Sequence, residues 1–137
     1  MEQNNIKEQL ISFFNQACST HQERLDFICS TRESDTFSSV DVPLEPIKNI
    51  IEITKDENQQ IEITKIAVNN IKTLSSVGAT GQYMASFFST NSEPAIIFCV
   101  IYFLYHFGFL KDNNKKQIIK KAYETIADNI ADYLNEN

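Results

Sequence analysis

The sequence predicts an all-α protein: a single globular bundle of six to seven helices around a central apolar helix, with residues 1–137 as one domain. Three observations carry that expectation. Glycine and proline number only three each in 137 residues, too few for the tight turns of a β-sandwich or barrel. Several segments repeat their apolar residues with the period of a helix. One run, AIIFCVIYFLYHFGFL from Ala95 to Leu110, is apolar almost throughout.

The first helix follows from Ile6, Leu10, Phe13, Phe14 and Ala17, which form one stripe on a 3.6-residue repeat. Thr20 and Glu23 have capping-box spacing for a second helix, with Leu25, Ile28 and Cys29 toward the core. From Ser30 to Pro46 the chain is rich in Ser, Thr and Asp and keeps no period, which predicts a long loop. Loops of that length in compact domains usually carry function. Pro43 and Pro46 suit the opening turn of a helix, where a missing N–H costs nothing.

The pentapeptide I-E-I-T-K then occurs twice, at Ile51–Lys55 and Ile61–Lys65. A hairpin is one reading, since Ile and Thr favour strands, but its loop, DENQQ, lacks the glycine such turns prefer. Two helices explain more of the chain. Ile47, Ile50, Ile51 and Thr54 form one helical stripe, and Ile63, Ile66, Ala67, Ile71 and Leu74 form another. Asp56 stands between them as an N-cap with Gln59 at N3, and Gly78 stands where the second helix should stop. A short helix is expected from about Gly81 to Ser89, with Tyr83, Met84, Phe87 and Phe88 inward. Asn91 or Ser92 then caps the apolar helix, with Glu93 and Pro94 in its first turn.

That apolar run is sixteen residues long, whereas a spanning helix needs about twenty. It includes Tyr102, Tyr105 and His106, and no basic cluster flanks it immediately. It therefore reads as a buried core helix ending near Gly108. The last helix is expected from about Asn113 to Leu134. Its lysines (Lys115, Lys116, Lys120, Lys121) crowd the first half and its carboxylates (Glu124, Asp128, Asp132, Glu136) the second. The macrodipole prefers the reverse order, so these charges either pair along the helix or meet another surface.

No motif for chemistry is complete. His21-Gln22-Glu23 spells H-x-E, but the P-C-x-x-C that completes a zinc deaminase site is missing. Cys18, His21, Cys29 and His106 contain only one tight pair with metal-ligand spacing. Gly78-Ala79-Thr80-Gly81 is too short for a phosphate loop and lacks its lysine. No G-x-S-x-G elbow occurs, and His106 reads as a hydrogen-bonded core histidine. The expectation is no enzyme, no metal and no cofactor. An odd count of three cysteines without C-x-x-C gives no disulfide framework. With no signal-peptide pattern at the start, reduced thiols in a cytoplasmic protein are expected.

Charge is the informative feature. The net charge is −6 and the pI about 4.8, which disfavours nucleic acid as a ligand. Residues 1–42 hold seven acidic and three basic side chains, against five of each in residues 111–137. Glu23, Asp26, Glu33, Asp35, Asp41 and Glu45 are the expected docking residues for a cationic protein partner, with Arg24, Arg32 and Phe37 as anchors among them. A small, acidic, cytosolic, motif-free chain is similar in profile to bacterial immunity proteins. That resemblance implies a toxin inhibitor whose carboxylates occupy the basic cleft of a cationic toxin such as a nuclease. The alternative is a secretion chaperone or adaptor that holds an unfolded client in an apolar groove near Tyr83–Phe88.

Overall fold

A computed structural model describes residues 6–76, 93–111 and 117–135. These residues form six α-helices and no strand, as the composition requires. They are α1 (Ile6–Ala17), α2 (His21–Glu33), α3 (Glu45–Ile53), α4 (Glu57–Ser76), α5 (Glu93–His106) and α6 (Gln117–Asn135), with a 3₁₀ turn at Phe37–Ser39. The expected Tyr83–Phe88 helix, the Gly78 stop and the caps at Asn91 or Ser92 lie outside the described residues. So do Lys115 and Lys116.

The apolar run is the axis of the bundle. Eleven consecutive residues of α5, from Ala95 to Tyr105, are buried. A helix that is apolar on every side needs neighbours on every side, and α1, α2, α4 and α6 all pack against it. Phe98 stacks on Tyr123 of α6 with ring centroids 5.2 Å apart. Phe103 stacks on Phe27 of α2, which in turn meets Phe14 of α1 edge to face. Each such ring contributes about 1.5–3 kcal/mol by burial, and Phe98→Ala would cost about 3–5 kcal/mol. Among the described residues no helix is long and apolar enough to cross a membrane.

The end of α5 is set by backbone chemistry. Gly108 adopts φ +79°, a conformation that glycine reaches without a Cβ penalty. Gly108 N–H donates to the Tyr105 carbonyl and Phe109 N–H to that of Leu104. This is the Schellman arrangement, and it turns Phe107 and Phe109 back along the helix end.

Neither copy of the repeated pentapeptide forms a strand: residues 51–53 of the first are helical, with Thr54 as the C-cap and Lys55 in the turn, and the second is helical throughout. The first closes α3; the second lies in the opening turns of α4. Between them Asp56 Oδ1 accepts from the N–H groups of Asn58 and Gln59 at 2.8 and 3.1 Å, as an N-cap should. Identical spelling does not give identical burial: Ile51 is buried whereas Ile61 is exposed. Gln60 fixes the junction. Its Nε2 donates to the carbonyls of Thr54 and Phe109, and its Oε1 accepts from Lys111 N–H. Ile61 is the one large hydrophobic side chain that stands exposed among the described residues.

One boundary differs from the sequence reading. The stretch from Ser30 was expected to be loop, yet α2 continues to Glu33, and α3 begins at Glu45 with Pro46 in its first turn. Ser and Thr are weak helix formers, but Thr31 is fully buried and Arg32 reaches across to α6. Tertiary contacts therefore extend the helix past its local preference.

Candidate functional site

The acidic segment is built from α2 and the loop that follows it. Helix α2 opens with the predicted box: Thr20 Oγ1 accepts from Glu23 N–H at 3.1 Å, and Glu23 Oε1 accepts from Thr20 N–H at 3.2 Å. Ser19 N–H donates to the same carboxylate at 2.9 Å. These backbone donors, Ser19 first, hold the Glu23 carboxyl below its usual range. Asp26, one turn on, accepts from Gln22 Nε2. Cys29 follows another turn on, and its half-buried thiol is pushed up by burial first, then by the charges of Glu33 and Asp26. The two carboxylates thus flank one thiol on one face of α2.

The loop folds back onto that helix. Asp41 N–H donates to Ser30 Oγ at 2.7 Å, and Ser34 Oγ donates to the Ser30 carbonyl at 2.7 Å. The Asp41 backbone is therefore held beside Ser30 in the last turns of α2. Glu23, Asp26, Glu33, Asp35, Asp41 and Glu45 are all exposed. Asp26 and Glu33 both act on the Cys29 thiol from α2, while Asp35 and Asp41 lie in the loop that follows, Asp41 tied back to α2 through Ser30. Glu23 is engaged in the cap. Glu45 belongs to α3 rather than to the loop, where it pairs with Lys48 at 3.0 Å. Glu33, Asp35 and Asp41 form no ion pair with another described residue.

The three expected anchors all make contacts within the protein. Arg24 is buried and donates from Nη2 to Asn15 Oδ1 at 3.0 Å. Arg32 donates from Nε to Asp128 Oδ1 at 2.6 Å, with Asp132 at 3.9 Å. That hydrogen bond raises the guanidinium's already high pKa. Phe37 packs edge to face on Phe109 at 5.6 Å. The reason is geometric: side chains on the inner faces of α2 and its turn meet the core or α6 before they meet solvent. The same contacts account for Asp128 and Asp132 late in α6, which answer Arg32 rather than the helix dipole; Glu136 lies outside the described residues.

Sequence reasoning missed a cleft. Residues 35–37, the end of α5 at 106–109, and Lys120 of α6 line an open cavity of about 500 Å³. The segments are far apart in the chain and meet because α5 ends beside the loop. His106 Nε2 lies 3.2 Å from the Ser34 carbonyl. A carbonyl can only accept, so Nε2 carries the proton. The one sequence signal was His106 itself, at the rim of the apolar helix. Among the described residues no group of three or more His, Cys, Asp or Glu side chains could hold a metal ion. Cys18 and Cys99 are buried and free; burial pushes the Cys18 thiol up to about 12 and the Cys99 thiol well above its ordinary value.

With this geometry in hand, comparison with known proteins is informative about family. Residues 8–135 match the model of a domain of unknown function, DUF1951. The chain belongs to that family. The match runs from α1 to the last residue of α6, so it takes in the acidic segment and the cleft. The "Uncharacterized protein MG354 homolog" of Mycoplasma pneumoniae is similar along its whole length: 69% identical over 137 residues, covering 100% of both chains.

Proposed function

We propose that this protein is a non-catalytic binding protein that docks a cationic protein partner on the acidic surface of α2 and its loop. Within that class the best-supported form is a bacterial immunity protein, acting in the cytoplasm, that inhibits a cationic toxin by filling its basic cleft. One observation carries the reading. Glu33, Asp35 and Asp41 are exposed and unpaired among the described residues, while both arginines of the same segment are used elsewhere. Among the described residues no direct ion pair therefore neutralises these three carboxylates. Clustered carboxylates of this kind present phosphate-like charge to a basic cleft and steer a cationic partner over long range. Glu33 stands on α2, which packs on the core, and the loop bearing Asp41 is tied to that helix through Ser30, which limits the ordering cost of binding.

The test uses two baits: the natural chain, and a variant with Asp26→Asn, Glu33→Gln, Asp35→Asn and Asp41→Asn. Each is used for capture from the native cell and titrated with the neighbouring gene's product at ~0.1 M and ~1 M salt, where the Debye length falls from about 10 to 3 Å. The reading expects a basic protein retained by the natural bait, released by salt and lost on the variant. Tight binding that ignores both salt and the four substitutions contradicts it, as does failure to bind any basic partner.

A further inference from the structure

We propose that the cleft between residues 35–37, the end of α5 and Lys120 binds a free aromatic α-amino acid as its zwitterion. The cavity, about 500 Å³, falls in the range of roughly 300–1,000 Å³ found for small-ligand sites, which are typically aromatic with a few convergent polar groups. Its apolar lining is Phe37, Phe107 and Phe109, each half-buried. Phe37 meets Phe109 edge to face, and Phe107 meets His106 in the same way at 4.7 Å. These rings keep one another in place and still leave surface uncovered. A further ring stacked among them removes that surface from water and gains the edge and face contacts that aromatic groups prefer.

The polar lining selects the rest of the ligand. Lys120 and Asp35 both line the cleft, and neither pairs with the other or with another described residue. A ligand with one charge satisfies one of them and is repelled by the other. A ligand with both charges satisfies both: its carboxylate at Lys120, its ammonium at Asp35. Thr36 adds a hydroxyl, and His106, with Nε2–H given to the Ser34 carbonyl, keeps Nδ1 as an acceptor when neutral. Gly108, which is exposed, also lines the cleft, and a Cβ there would meet no atom within 4 Å, so the cleft is open at that point. An aromatic α-amino acid joins a ring to adjacent charges of both signs and uses every group named here. Asp35 is shared with the acidic face, but Lys120 is not, so Lys120→Met with small-molecule probes tests this inference independently of the partner reading.

Isothermal titration of the full chain with L-phenylalanine tests it, with 3-phenylpropionate, 2-phenylethylamine and L-alanine as comparators. One saturable site is expected for L-phenylalanine, with each comparator at least about tenfold weaker, the loss of one charged or aromatic contact. Lys120→Met should weaken L-phenylalanine by a similar factor and abolish its advantage over 2-phenylethylamine. Asp35→Asn should do the same with respect to 3-phenylpropionate. Circular dichroism confirms that both variants stay folded; the substitutions are at solvent-accessible positions. Absence of saturable binding, equal binding of any comparator, or natural affinity in folded Lys120→Met overturns the proposal.

Discussion

Tyr123→Phe removes a single oxygen from a buried polar junction between helices. Tyr123 is fully buried on α6, and its hydroxyl lies 2.8 Å from the Ala67 carbonyl and 2.7 Å from Asn70 Oδ1, both on α4. Asn70 is itself buried and donates from Nδ2 to the Pro94 carbonyl at the start of α5. One hydroxyl thus joins α4 and α6, and Asn70 passes the link to α5. The Ala67 carbonyl lies mid-helix, where the N–H ladder of α4 also serves it. Asn70 Oδ1 is the acceptor left stranded. Losing the bond and stranding a buried acceptor costs about 2 kcal/mol, which for a chain of this length lowers Tm by roughly 7 °C. Phenylalanine keeps the stacking on Phe98, so lost packing does not enter. Burial holds the Tyr123 phenol well above its ordinary pKa, so the loss should not vary with pH near neutrality. Urea denaturation followed by circular dichroism measures the cost, with an unchanged m-value as the check. A double cycle with Asn70→Ala should show coupling of about 1 kcal/mol. A cost under about 0.5 kcal/mol, or additive losses, would refute the network.

Other consequences concern α2. Thr20→Ala should cost about 1 kcal/mol by uncapping the helix. Because the Glu23 pKa is depressed in the folded chain, its cap stabilises fully above the ordinary value of 4.5 and is lost as pH falls through the lowered one. Glu23→Gln should therefore flatten the acid limb of the stability profile measured from pH 7 to pH 2. Cys29 should be the first thiol to react with a disulfide reagent at pH 8, with Cys18 and Cys99 waiting for unfolding; Asp26→Asn with Glu33→Gln should speed Cys29 several-fold by lowering its pKa. Equal rates in that variant would mean the two carboxylates do not act on the thiol. Arg32→Met should cost at most about 1 kcal/mol, since its partner Asp128 is half exposed and screened, and should leave partner capture unchanged. Lost capture would return Arg32 to the interface.

Much of the frame is legible in the residues. Wherever an element ends on local chemistry, spacing suffices: Thr20 with Glu23, Asp56 before α4, Gly108 after α5. The central helix is legible because a run that is apolar on all sides admits few placements. What escapes the sequence depends on distant segments. Helix α2 outlasts its poor helix formers because Thr31 is buried and Arg32 finds Asp128, ninety-six residues away. Arg24 and Arg32 read as docking anchors, and only the packed bundle shows Arg24 buried and Arg32 paired with Asp128. The exposure of the six carboxylates follows from their solvation, but their unequal engagement does not. The cleft has no sequence signature, because the Schellman turn that places Phe107 and Phe109 beside Phe37 joins segments some seventy residues apart.

The rate of association with the captured partner speaks most directly to the use of the acidic face. Stopped-flow measurement at ~0.1 M salt should find the natural chain associating at least about tenfold faster than the four-carboxylate variant, with the two converging near ~1 M salt. Equal rates at low salt would contradict the account, whatever the equilibrium affinity.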